Sequence, residues 1–214
     1  MVILILFIDR SSKNDPFYFA FCGILAVATT LSNVTILIVL FTNKKLMNAQ
    51  AVHRISLAMS DVFTGIVVFP SFISTNILFV SGNISQLYIN TVGFFIMLNL
   101  HVSIFTLAAA AIDRFKVVCR PLRYNFTSST QNAKKICLGL WLMSITLCLT
   151  PFGFVVESFI YELYSKVNFV IPSLDSNFVV IYVYGTIAFL LPLLTMWIFT
   201  ILTFVMYKKH SSIC

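Results

Sequence analysis

Charged residues are scarce in this sequence. They make up 10% of the 214 residues, whereas hydrophobic residues make up 59%, and the mean hydropathy is +0.98. A soluble domain carries about a quarter charged residues. The shortage excludes a soluble globular domain and predicts an integral membrane protein.

The few charges are mostly basic, and the formal net charge is +7. No motif that combines basic and aromatic residues accompanies them, so we expect no nucleic-acid partner. Basic residues that flank the cytoplasmic ends of membrane helices account for the charge more simply.

Cysteine pairs and catalytic motifs are also missing. The five cysteines are an odd number, lie mostly within or at the ends of apolar segments, and show no metal-ligand spacing. The sequence contains no HExxH, GxSxG or P-loop motif. We therefore expect neither an enzyme nor a bound organic cofactor.

Long apolar segments are abundant. A membrane helix needs about 20 apolar residues, and five segments are long enough. They predict an all-α membrane protein, a transmembrane helix bundle. The predicted spans are residues 17–41, 55–80, 87–118, 136–156 and 176–207, with residues 1–16 as a short N-terminus and 208–214 as a tail.

The distribution of basic residues predicts the orientation of the chain. Most of the 14 lie after the first segment, around the end of the third segment, and in the tail. Because cytoplasmic loops are enriched in lysine and arginine, these regions are assigned to the cytoplasm. The N-terminus is then outside, and five crossings place the tail inside.

Polar and small residues recur along one face of the third segment. They are spaced as on a single helical face, and a polar face in a membrane must turn toward protein or water. One interpretation is a functional polar path, and the other is hydrogen bonding between helices. The residues are Asn99, Ser103, Thr106, Ala110 and Asp113.

Asp61 is the only charged residue of the second segment. A carboxylate in a bilayer is either protonated or balanced by a cation. Asn33, Asn99 and Ser103 could add oxygen ligands, which suits Na⁺. A protonated, hydrogen-bonded aspartic acid remains the competing interpretation. A cation path through a transporter or channel is a further alternative, although no inverted repeat is apparent.

An acid and a base stand side by side at the end of the third segment, in Asp113-Arg114-Phe115. Such a pair is costly at a membrane edge and needs partners or water. A basic stretch with a turn at Pro121 follows. The arrangement indicates a charged switch at the predicted cytoplasmic face.

Together these residues resemble the rhodopsin-like family of G-protein-coupled receptors. The triplet is similar to the family's DRY motif, with phenylalanine in place of tyrosine. The other matches occur in family order: Asn33, Leu57-Ala58-Met59-Ser60-Asp61 (the LAxxD motif), Pro121-Leu122, Trp141 and Pro192. The resemblance covers the chain from about Phe17 onward.

The resemblance implies roles for these positions. Arg114 would contact the G protein, and Asp113 would hold Arg114 in the resting state as a charge pair. Leu122 would dock into the α subunit of the G protein. Phe115 and Pro121 complete the set of G-protein-coupling residues. The allosteric sodium site would include Asp61, Asn99 and Ser103. The core switch beneath the ligand would include Ile104 and Pro192.

The sequence also departs from the family pattern. The usual extracellular disulfide is impossible, because no cysteine lies between Gly23 and Val118 or between Leu149 and Ile213. Ile96 stands where amine receptors carry an aspartate, so a monoamine ligand is not expected. Ile96, Leu100 and Phe189 are predicted to face an apolar or peptide ligand.

The resemblance implies a multi-pass receptor of the plasma membrane that transmits an extracellular ligand signal to a heterotrimeric G protein. Because the sequence stops at Cys214, after the fifth segment, we expect a partial or truncated chain. The alternative is a non-signalling five-helix protein that associates with full-length receptors. Asn83, in Asn83-Ile84-Ser85, is the candidate glycosylation site.

Overall fold

The computed structural model describes residues 16–81, 84–119, 130–149, 159–164, 167–172 and 178–211. Five helices in these ranges are long and apolar enough to cross a membrane. The predicted all-α membrane bundle is therefore confirmed, with five helices.

We number these helices in chain order. The first, third and fourth are Pro16–Thr42, Gln86–Cys119 and Thr130–Leu149. The second consists of Ala49–Phe63, a π-helical turn Thr64–Val68, and Phe69–Ser81. The fifth consists of Phe178–Gly185, a π-helical turn Thr186–Leu190, and Leu191–Ser211. A short 3₁₀ turn, Lys44–Leu46, precedes the second helix.

Two helices begin six residues earlier than their apolar segments suggested, at Ala49 instead of 55 and at Thr130 instead of 136. In the second helix, Asn48 Oδ1 accepts a hydrogen bond of 2.8 Å from the Ala51 amide and caps the first turn. Hydropathy locates the part of a helix that lies in lipid, whereas backbone hydrogen bonding continues into the polar turns beyond it.

The segment between the fourth and fifth helices contains a β-hairpin that was not predicted. Strands Phe159–Tyr164 and Val167–Pro172 pair antiparallel and lie against the third helix. The predicted extension of the fourth helix to residue 156 lies outside the described residues.

Each π-helical turn ends two residues before a proline, Pro70 in the second helix and Pro192 in the fifth. Proline has no amide hydrogen to donate to the carbonyl four residues back. The residue between the π-helical turn and the proline closes the wider turn with its backbone amide. Phe69 N donates to Thr64 O, and Leu191 N donates to Thr186 O. Each of these two prolines is thus accompanied by a one-turn π bulge.

The third helix lies at the centre and packs against the second, fourth and fifth helices and the hairpin. The first helix packs against the second. Their close approach requires glycine at position 65, because a Cβ there would overlap Thr30 Oγ1 and lie 2.9 Å from the carbonyl oxygen of Ala26.

Candidate functional site

The polar face of the third helix is hydrogen-bonded to the second helix through Ser60. The Ser60 hydroxyl donates to Asn99 Oδ1 at 3.0 Å and lies 3.2 Å from the Ser103 hydroxyl. Ser60 is fully buried. The interpretation of this face as hydrogen bonding between helices therefore holds for Asn99 and Ser103.

One turn toward the predicted cytoplasmic end, Ser56 joins three helices. Its hydroxyl accepts a 3.0 Å hydrogen bond from Trp141 Nε1 of the fourth helix and lies 3.3 Å from the Thr106 hydroxyl of the third. We call Ser56, Ser60 and their partners the polar seam.

Ser56 and Ser60 were not predicted from the sequence as centres of this network. Their spacing could have indicated this role. The two serines are four residues apart and so share one face of the second helix, just as the polar residues of the third helix share one face.

Asp61 stands next to the polar seam but is not part of its hydrogen bonding. In the described part of the chain, no hydrogen bond reaches its half-buried carboxylate. Asn33 donates within its own helix, to the Thr29 carbonyl at 3.0 Å. The structure thus brings Asn99 and Ser103 together through Ser60, not through Asp61.

The side-chain oxygens of Asp61, Asn99 and Ser103 are of the chemical kind that binds a small hard cation. The Asp61 carboxylate supplies charge, and Asn99 Oδ1 and the Ser103 hydroxyl supply neutral oxygens that keep further lone pairs beside their bonds to Ser60. The sodium site remains a prediction.

At the predicted cytoplasmic end of the third helix, the members of the charged triplet have different surroundings. The Asp113 side chain is buried, whereas Arg114 is exposed and donates through Nε to the Ala110 carbonyl at 3.3 Å. The ring of Phe115 packs edge-on against Phe199 of the fifth helix, with centroids 5.3 Å apart. The predicted Asp113–Arg114 charge pair stays a prediction, and Pro121 and Leu122 lie outside the described residues.

Arg114 borders two clefts. A cleft of about 280 Å³ opens between the third and fifth helices, and one of about 200 Å³ between the second and third. The first is lined by Ala111, Arg114, Val118, Thr200, Thr203, Phe204 and Tyr207. The second is lined by Gln50, His53, Arg54, Leu57, Ala110, Asp113 and Arg114.

Two contacts, each between a histidine and a cysteine, join the fourth helix to the second and third helices. His53 Nδ1 lies 3.4 Å from Cys137 Sγ, and His101 Nδ1 lies 3.4 Å from Cys148 Sγ. All four side chains are buried. Neither cysteine partner was predicted from the sequence.

The predicted ligand-facing residues lie in different packing environments. Ile96 is buried in a cluster with Val68 and Phe72 of the second helix. Leu100 packs beside Cys148, and the ring of Phe189 lies 5.2 Å from that of His101. None of the three lines either cleft described above.

The predicted core-switch residues lie on the third and fifth helices. Ile104 is half-buried, and Pro192 is buried two residues after the end of a π-helical turn. No described contact joins the two, so this role stays a prediction. Asn83, the candidate glycosylation site, lies outside the described residues.

The outer end of the third helix is held to the second by Tyr88. Its hydroxyl lies 2.6 Å from the Ser74 hydroxyl and 3.0 Å from that of Thr75, and it donates to the Ser71 carbonyl at 3.3 Å. Hydrogen bonds therefore position this end in a region where the sequence provides no cysteine.

Residues 32–213 match the family model for the 7 transmembrane receptor (rhodopsin family). The chain belongs to this family. The resemblance seen in the sequence motifs is thereby confirmed, and the rhodopsin family accounts for the multi-pass helical architecture.

The relatives of this rhodopsin-family chain are receptors. It is 34% identical over 128 residues to adenosine receptor A2b of Gallus gallus, covering 60% of this chain and 37% of that one. It is 28% identical over 132 residues to cholecystokinin receptor type A of Rattus norvegicus (61% and 29%). It is also 28% identical over 119 residues to melatonin receptor type 1A of Gallus gallus (56% and 33%).

The matched stretch therefore spans well under half the length of each of these relatives. They support a receptor-like membrane protein and give no support to the alternative of a non-signalling interaction protein.

Proposed function

We propose that this chain belongs to a receptor of the plasma membrane that passes an extracellular ligand signal to a heterotrimeric G protein. The observation that supports this most strongly is the position of Arg114. In a rhodopsin-family chain, its exposed guanidinium borders two clefts at the predicted cytoplasmic end of the bundle.

The cleft beside the fifth helix suits a partner helix. Its lining is mostly apolar, with Phe204, Tyr207 and Val118, while Arg114 supplies a charged donor. Amphipathic helices bind such grooves through apolar anchors, and an arginine adds directional hydrogen bonds to carbonyl or carboxylate oxygens. In this proposal Asp113, Phe115, Pro121 and Leu122 complete the surface that contacts the G protein.

A sodium ion at Asp61 is the second part of the proposal. Asn33, Asn99 and Ser103 would complete its ligands, and the bound charge would offset the carboxylate inside the bilayer. The ion would favour the arrangement of the second and third helices in which these oxygens converge.

The ligand is proposed not to be a monoamine. Three relatives are named for adenosine, cholecystokinin and melatonin, which are chemically unlike one another, so their names do not select a ligand class. At Ile96, packed against Phe72 and Val68, no carboxylate is available to pair with an ammonium group. Ile96, Leu100 and Phe189 would instead offer apolar contacts.

The G-protein proposal can be tested without a ligand. The 214-residue chain would be placed in lipid nanodiscs, and binding of a purified, nucleotide-free heterotrimeric G protein would be measured. Arg114→Gln should weaken binding about ten-fold or more, since hydrogen bonds from a charged group contribute about 1.5–3 kcal/mol.

The matched control is Lys135→Gln, which removes an exposed positive charge from the fourth helix, outside both clefts. It should change binding little. Equal binding by wild type and Arg114→Gln, or no binding by wild type, would contradict the proposed function.

A further inference from the structure

We infer that the cleft between the second and third helices is a binding site for the phosphate headgroup of an anionic lipid of the cytoplasmic leaflet. We call it the Arg54 cleft. It is lined by Gln50, His53, Arg54, Leu57, Ala110, Asp113 and Arg114, and it has a volume of about 200 Å³.

The cationic groups of the Arg54 cleft come from two different helices. Arg54 and Arg114 are both exposed. Among the described residues, the hydrogen bond of Arg114 uses only Nε, to the Ala110 carbonyl, and Arg54 has none. Guanidinium groups bind phosphate oxygens through two parallel hydrogen bonds, so these donors can converge on one phosphate.

The charge balance favours a single anion. Two arginines and the Asp113 carboxylate leave one formal positive charge around the cleft, with His53 counted as neutral. Asp113 is buried, so its charge lies deeper than the exposed guanidinium groups. The amide of Gln50 adds an uncharged donor at the rim.

The size and position of the Arg54 cleft favour a lipid over a soluble ligand. Pockets for drug-sized molecules have volumes of about 300–1,000 Å³, so this cleft suits a headgroup fragment. It lies between two membrane helices, at the end that the positive-inside rule assigns to the cytoplasm, where the leaflet is anionic. Basic pockets in that position bind phosphoinositide-type headgroups.

The site does not depend on G-protein coupling and can be tested without a G protein. The full chain would be reconstituted in phosphatidylcholine nanodiscs with a trace of fluorescent phosphatidylinositol 4-phosphate, and lipid affinity measured by energy transfer from the protein's tryptophans. Arg54→Gln should weaken binding about ten-fold or more, because it removes charged hydrogen bonds.

Lys135→Gln is the matched control, because it removes the same charge from an exposed position outside the cleft. A diffuse attraction to an anionic surface amounts to about five-fold for each basic residue. The inference is overturned if both variants weaken binding equally, which would indicate only general surface attraction, or if neither does.

Two further measurements complete the test. Arg114→Gln should weaken lipid binding as Arg54→Gln does, and the circular dichroism of each variant should match that of wild type. Displacement of the lipid by inorganic phosphate at an equal concentration would assign the cleft to a soluble anion and overturn the lipid source.

Discussion

At the residue scale, the polar seam depends on two serines that each have more than one hydrogen-bond partner. The hydroxyl of Ser56 accepts a hydrogen bond from the Trp141 indole of the fourth helix and contacts the Thr106 hydroxyl of the third. A hydroxyl has one donor and two acceptor positions, which matches this use. Neither serine was identified from the sequence as a centre of hydrogen bonding, because a serine's hydrogen-bond partners are not visible in a sequence.

Ser56→Ala should destabilise the protein by about 1–3 kcal/mol, since it leaves Trp141 Nε1 without its acceptor inside the bundle. The measurement is unfolding in detergent by a denaturant. Ser32→Ala is the control, because the exposed Ser32 hydroxyl bonds only within its own helix, to the Thr29 carbonyl at 3.2 Å. Equal losses from the two substitutions would show that the connection between helices contributes nothing.

A second residue-scale prediction concerns Asp61. Sodium should raise the melting temperature of wild type above that in potassium at equal ionic strength, because an ion bound only by the folded state stabilises it. Asp61→Asn should abolish this difference by removing the charged ligand. Ser85→Ala, at an exposed position before the third helix, should preserve it. A sodium effect that survives in Asp61→Asn would refute the site.

At the element scale, the number and type of the helices could be predicted from the sequence, whereas their limits and irregularities could not. Apolar length identifies a membrane helix because lipid cannot satisfy backbone groups. The polar turn before residue 55, the π-helical turn beginning at Thr64 and the hairpin Phe159–Tyr164/Val167–Pro172 depend on capping and on packing against other elements. Those contacts are not encoded in local hydropathy.

The contact between the first and second helices provides a test at this scale. Gly65→Ala should destabilise the protein by about 1–3 kcal/mol, because the new methyl group meets Thr30 and the Ala26 backbone. Gly139→Ala is the matched control, with no atom within 4 Å of its added carbon. It should be neutral or slightly stabilising, as alanine is the better helix former. Denaturant unfolding of both variants in detergent decides the matter, and equal stability of the two would contradict the close approach.

At the scale of the whole molecule, polar contacts and burial concentrate on the second, third and fourth helices. In an apolar 18-residue stretch of the third helix 50% of residues are buried, compared with 6% in the first helix and 11% in the fifth. The outward faces are apolar, which costs nothing in lipid. The sequence predicted which face of the third helix is polar. It could not show that Ser60, and not Asp61, bonds to Asn99. Neighbouring residues on a helix differ in direction by about 100°, and the sequence does not tell which of the two faces the third helix.

The π-helical turn of the second helix has a consequence for how its two halves are aligned. Such a turn accommodates one residue more than an α-helical turn, so the outer half is rotated by about 100° relative to a continuous α-helix. Ser60 meets the third helix before this offset, and Ser74 and Thr75 meet Tyr88 after it. A chain shorter by one residue at this turn would keep the same hydropathy profile, but its outer hydroxyls would face away from Tyr88.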